Sequence, residues 1–205
     1  IRSIRTRLSR QVRAMITLQR LTGMRPGEVL GMRTCDLEMP SSGRVWIYSP
    51  TDHKTAHHGH ERTIYLGPRA QRVIRPFLSR SLTAYLFSPA DAETERLERR
   101  HAERKTPLSC GNGPGSNRKR KPSRRAGEGY TVDSYRRAIH RACDAVGVPR
   151  WSPNRLRHNA ATFLRREYGI DVCQTILGHR LGSAITEVYA EANVKKAMEI
   201  VGKVG

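Results

Sequence analysis

One lysine stands out against a background of arginine. Across residues 1–104 arginine recurs throughout, yet Lys54 is the only lysine. It falls in a stretch that reads as the loop of a strand–loop–strand hairpin. The two cations differ chemically. A guanidinium keeps its charge, and its forked donors suit the two non-bridging oxygens of a phosphate. An ammonium can give a proton to a leaving alkoxide, which arginine cannot. One lysine must also sit somewhere, so its placement alone decides nothing. Metal-assisted hydrolysis fits poorly, because it needs clustered carboxylates to hold its ions. The acids outside residues 89–129 are isolated, with no D-x-D or E-x-K-like pairing. His53, His57, His58 and His60 share the predicted loop. They lack the i, i+4 helical spacing and adjoining Glu of a zinc protease motif. No metal and no other cofactor is expected. What remains is metal-free phosphoryl transfer: a side-chain nucleophile, cations around the phosphate, and an acid for the leaving oxygen.

That chemistry presupposes a phosphate partner, and the charge balance supplies a reason for one. The 205 residues carry 38 basic and 18 acidic side chains, a net charge of +20. Such a surplus calls for a polyanion. A basic membrane-surface protein is the competing class, but no apolar run here is long enough to span a bilayer, and no secretory leader is expected. An RNA-binding module is disfavoured by the absence of any aromatic stacking signature. Cys35, Cys110, Cys143 and Cys173 are widely scattered, with no C-x-x-C pair. Free thiols and a cytoplasmic, nucleoid-associated location in a prokaryotic or phage and mobile-element setting are expected. The start at Ile1 rather than Met suggests a piece of something longer.

The elements that must position these residues follow from periodicity and punctuation. Leu8, Val12, Met15 and Leu18 predict an amphipathic helix over 6–21, stopped at Thr22-Gly23. Pro26 opens a short helix with Glu28 in its first turn. Val45 and Ile47, then Ile64 and Leu66, mark the outgoing and returning strands. Residues 69–80 read as helix. Residues 89–129 contain few apolar residues and form a flexible basic insertion, whose first half reads as a solvated helix. Its second half carries Arg118, Lys119, Arg120, Lys121, Arg124 and Arg125, either as a solvated linker or as a grip on phosphates. Thr131 caps a helix whose buried face is Val132, Tyr135, Ile139, Ala142 and Val146, ending at Gly147. Ser152-Pro153 opens the next, running to Gly169. Asp171 caps a short helix ending near Gly178, and Ser183 starts the last, which carries Tyr189. The expected fold class is mainly α with a small antiparallel β-sheet, in a single domain over 1–205.

Four segments, taken in order, resemble the tyrosine recombinases, the phage-type integrases. The run Thr22-Gly23-Met24-Arg25-Pro26-Gly27-Glu28 resembles their first arginine box. Asn154-Arg155-Leu156-Arg157-His158, followed by small residues to Thr162, looks like the second. Leu177-Gly178-His179 matches the third, and Thr186-Glu187-Val188-Tyr189 the nucleophile segment. Each box alone is weak, but four in order at sensible spacing are specific, and the resemblance spans about 6–192 apart from the basic insertion.

The resemblance implies the catalytic-domain fold of these DNA breaking-rejoining enzymes and a role for each matched residue. Arg25 and Arg157 would clamp the scissile phosphate, and His179 would add a hydrogen bond to it. Lys54 would protonate the departing 5′ hydroxyl, and Tyr189 would attack to form a 3′-phosphotyrosyl link. That link conserves the bond energy, so no ATP is needed. Glu28 and His158 would support them. The implied partner is double-stranded DNA, with a homotetramer on paired sites for the full-length protein; for this fragment alone a monomer stays open. The family's N-terminal core-binding DNA domain is expected to be absent from this chain. Residues 193–205 suggest a helix that either packs on its own domain or is exchanged with a neighbour.

Two positions depart from the family pattern. Asn154 stands where His or Lys is usual, and an amide cannot take the tyrosine proton at neutral pH. The step from His179 to Tyr189 is ten residues, one more than the family pattern implies. Two alternatives stay open at this point: a catalytically impaired DNA-binding member of the same fold, or a topoisomerase IB-like or telomere-resolving enzyme.

Overall fold

The computed structural model describes residues 1–41, 44–51, 62–78, 81–107, 109, 126–178 and 186–204, with the backbone alone for 186–193 and 195. Helix α1 runs Arg10–Thr22, capped by Ser9, whose Oγ accepts the Val12 N–H at 3.3 Å. It starts later than the periodicity predicts because Arg2–Arg7 forms a separate 3-10 turn, pinned by buried Ile4. Val12, Met15 and Leu18 are buried as expected, and so are Ala14, Ile16, Gln11 and Gln19. This helix is therefore central, lying against α3 (Pro68–Ile74) and α6 (Asn154–Tyr168). Helix α2, Pro26–Leu30, follows with proline at its first position, where a missing N–H costs nothing.

The sheet has three antiparallel strands in the order β1 (Leu37–Glu38), β2 (Trp46–Tyr48), β3 (Ile64–Leu66). Trp46 pairs with Leu66 and Tyr48 with Ile64, so the predicted hairpin strands are present. The two-residue β1 is an addition, too short to leave an alternation in the sequence. Strand β3 divides the core: Ile64 and Leu66 join the main cluster, whereas Tyr65 joins a second one with Leu164, Val172, Ile176, Ala197 and Val201. All three β3 residues are buried.

Several boundaries shift from expectation. Helix α3 gives way to a 3-10 turn, Arg75–Phe77, where Pro76 lacks an amide donor. Helix α4, Pro89–Ala102, is the solvated helix of the insertion: Ser88 caps it and none of its residues is buried. The basic run from Arg118 to Arg125 lies outside the described residues. Helix α5, Val132–Asp144, is capped by Thr131 and buries Tyr135, Ile139 and Ala142. Val132 is in phase with them but 49% exposed, because the first position of the helix overhangs the core.

The starts of the next two helices also differ. Ser152 is not a side-chain cap for α6: Pro153 takes the boundary with helical angles, and the first bonds reach only three residues back. Asp171 is not a cap either, because α7, Ile170–Leu177, starts directly after Gly169 and leaves the carboxylate inside the first turn. Helix α8, Thr186–Val204, packs Ala197, Ile200 and Val201 onto α7 and β3 of its own chain.

Candidate active site

Helices α1 and α7 end close together. Each stops at a left-handed glycine, Gly23 at φ 67° and Gly178 at φ 63°. A Cβ at Gly23 would collide with the Leu177 side chain, and one at Gly178 with the Arg62 guanidinium. Helix C-termini present carbonyls with no intrahelical partner and carry partial negative charge. Two arginines meet them. Arg157, from the first turn of α6, donates from Nη1 to the Gly23 carbonyl at 2.8 Å and from Nη2 to the Leu177 carbonyl at 2.9 Å. Arg62, on the approach to β3, donates to the Thr63 carbonyl at 3.0 Å and the Ile176 carbonyl at 3.4 Å.

A single carboxylate completes the cluster. Glu28 is 2% exposed and accepts three donors: the Arg25 backbone N–H at 2.5 Å, Arg25 Nη1 at 3.0 Å and Arg62 Nε at 3.1 Å. Burial pulls its pKa upward. The charge of Arg62 and the hydrogen bonds and charge of Arg25 outweigh that pull, so the pKa lies below its ordinary value. The Tyr48 hydroxyl donates to the Glu28 carbonyl at 2.7 Å, joining α2 to β2. Burial, and then repulsion from Arg25, push Arg157 down to about 10, still well above neutral. Burial likewise lowers Arg62, against the pull of Glu28. The Arg25 side chain is 27% exposed and is the outward face of the group.

The structure thus brings Arg25, Glu28 and Arg157, three of the residues singled out by the resemblance, into one cluster. Asn154 lies exposed at the start of α6, three residues before Arg157, and His158 is exposed just beyond it. Lys54 and His179 lie outside the described residues. Tyr189 is described only as backbone within α8, and its side chain is outside. Among the described residues no three His, Cys, Asp or Glu side chains gather as a metal site, and no helix is long and apolar enough to cross a membrane.

The sequence reading missed Arg62 and a second buried relay. The Tyr135 hydroxyl donates to Gln19 Oε1 at 2.9 Å, and Gln19 Nε2 donates to the Met24 carbonyl at 3.1 Å, fixing the residue before Arg25. A faint signal for Arg62 existed: Glu28 is the first acid in the chain, set among arginines.

A model of the phage integrase family matches residues 3–196. The chain belongs to that family. This integrase-family chain has the mainly α fold with a small antiparallel sheet of tyrosine recombinase catalytic domains. It is similar to the integrase from mycobacterium phage Brujita, with TM-score 0.54 and 16% identity over 96% of this chain and 52% of that one. It also matches the XerH site-specific recombinase bound to difH substrate in a pre-cleavage complex, with TM-score 0.46 and 17% identity over 93% of this chain and 45% of that one. For XerA recombinase the TM-score is 0.46 and the identity 18%, over 93% and 60%. The integrase-family chain therefore spans about half the length of these structures. No curated protein sequence matches it.

Proposed function

We propose that this chain is the catalytic domain of a site-specific DNA recombinase that cleaves and rejoins strands through Tyr189, without metal or ATP. The observation that carries this reading is the convergence of Arg25 and Arg157, from segments 132 positions apart in the sequence, around one buried carboxylate. The guanidiniums of Arg25, Arg62 and Arg157 against the carboxylate of Glu28 leave the group with a net charge of +2. A phosphodiester brings one negative charge, and a phenolate attacking it brings a second. A preorganised cationic site stabilises that growing charge more than the ground state.

In this mechanism Tyr189 attacks the phosphorus and the P–O5′ bond breaks. Lys54 gives its proton to the departing 5′ oxygen, while Arg25, Arg157 and His179 hold the non-bridging oxygens. Asn154 donates to the phosphate, and the proton of the phenol is assigned to His158, one turn further along α6. Glu28 orients Arg25. The run Arg118, Lys119, Arg120, Lys121, Arg124 and Arg125 grips the DNA backbone, which makes binding fall steeply with salt. The complete protein assembles as a tetramer on paired sites.

The substitution of an amide at Asn154 favours a second reading, a DNA-binding member of the family with impaired cleavage. Incubation with nicked suicide duplexes, followed by denaturing gels, separates the two. The first reading expects a covalent protein–DNA adduct that Tyr189→Phe abolishes. Binding without any adduct, in the complete protein on its own site, supports the second.

A further inference from the structure

We propose that Arg62 is a positioning residue of the strand-transfer reaction: it fixes Arg25 through Glu28 while tying the end of α7 to the same carboxylate. This rests on the reading that Arg25 holds the scissile phosphate. Arg62 itself is 6% exposed and reaches the substrate only through its neighbours. Its fork spans two elements far apart in sequence. Nε meets Glu28 Oε1 at 3.1 Å, and the Nη atoms reach the Ile176 carbonyl at 3.4 and 3.5 Å. Gly178 leaves no room for a side chain beside that fork, so the approach is close by construction. Arg157 grips the adjoining carbonyl, Leu177, in the same way. Two parallel arginines therefore set where the chain leaves α7, two residues ahead of His179, relative to Arg25.

The charge of Arg62 also keeps Glu28 ionised. The groups facing that carboxylate are Arg25 from α2, Arg62 beside β3 and Arg157 from α6, with the Tyr48 hydroxyl on its carbonyl and the Tyr65 phenol near Arg62. With Arg62 gone, its charge no longer opposes the effect of burial, so Glu28 takes up a proton at higher pH than in the unaltered protein, with Arg25 left as its remaining partner. A neutral Glu28 loses its ionic hold on Arg25. Removal of Arg62 therefore produces an acid-side loss of cleavage at a pH where the unaltered protein still works.

The test uses a nicked duplex carrying a site that the protein itself selects from a randomised DNA library. Adduct rate, duplex affinity and thermal midpoint are measured across a pH series for the unaltered chain, Arg25→Ala, Arg62→Gln and Arg62→Lys. Arg25→Ala tests the underlying reading: an unchanged adduct rate there overturns the role of Arg25, and the inference falls with it. Given a dead Arg25→Ala, the inference expects Arg62→Gln to bind duplex normally. It expects adduct formation slower on the order of 10- to 100-fold, the range typical of residues that orient a reacting group, with the acid limb moved to higher pH. Arg62→Lys restores the acid limb, because the charge is kept, but only part of the rate, because an ammonium cannot span both partners. An unaltered rate and pH profile in Arg62→Gln overturns the proposal, as does loss of rate with the acid limb unmoved. Should Arg62→Gln fail to fold, Arg62→Lys decides: a reduced rate with an unmoved acid limb supports the inference, and a full rate overturns it.

Discussion

The two ends of α1 are both rich in arginine, yet they are physically different places. At the N-terminal end Arg7, Arg10, Arg13, Arg96 and Arg99 line an open cleft between α1 and α4 with Glu95 among them. Arg10 pairs with Glu95 at 3.6 Å, with side chains 49% and 39% exposed, and lies over the Phe77 ring at 4.6 Å. At the C-terminal end Arg62 and Arg157 are almost wholly buried, and each is committed to backbone carbonyls of helix ends. Counting cations does not separate these regions. Burial does, because a buried charge must be held by specific partners, whereas an exposed pair exchanges easily with water.

The largest effect expected from this contrast is at Glu28. Glu28→Ala leaves Arg62 buried beside no carboxylate and should cost about 3–5 kcal/mol in urea unfolding. The loss in the unaltered protein is also pH-dependent. The folded pKa of Glu28 is below its ordinary value of 4.5, so its stabilisation is present above that value. It is lost as pH falls through the lowered folded pKa, where the unfolded chain already binds the proton. Glu28→Gln should flatten that acid-side part of the stability curve. An unchanged curve would mean that the carboxylate is not held as described.

A smaller effect belongs to the backbone that presents the carbonyls. Gly178→Ala places a Cβ at a positive φ and against the Arg62 guanidinium. Strain of this kind costs about 1–3 kcal/mol, read from the shift in the unfolding midpoint. The smallest effect is at the other end of α1. Glu95→Ala should change stability by about 0.5 kcal/mol or less, because the pair it breaks is exposed. A loss there as large as that of Glu28→Ala would erase the distinction between the two regions.

Much of this arrangement was legible from local signals. Gly23, Pro26, Thr131 and Gly178 punctuate the chain by effects that act within a few residues, and they place their helix ends well, whereas the Ser9 cap at the start of α1 went unread. Arg25, Glu28 and Arg157 come together because each box sits at such an end. The rest depended on distance. Arg62 meets Glu28 across 34 positions and Ile176 across 114, and no periodicity encodes such a pairing. Gln19 and Tyr135, 116 positions apart, escaped for the same reason: each reads as an ordinary member of its helix face. Val132 and Asp171 were misread because spacing gives phase along a helix but not where the core stops or the first turn begins.

The last helix sets a leash. It is moored at Ala197, Ile200 and Val201, and the Val204 carbonyl is tied down by Arg69 at 3.0 Å. Val194 packs against the same cluster, so the backbone of residue 189 lies five positions ahead of the first mooring, roughly 7.5 Å at the rise of an α-helix. Fewer than two turns of helix therefore separate residue 189 from the packed half of α8. For the reaction proposed above, the reach of residue 189 is thus set by that short span and not by the whole length of the helix, whose far half is fixed against the strand it packs on.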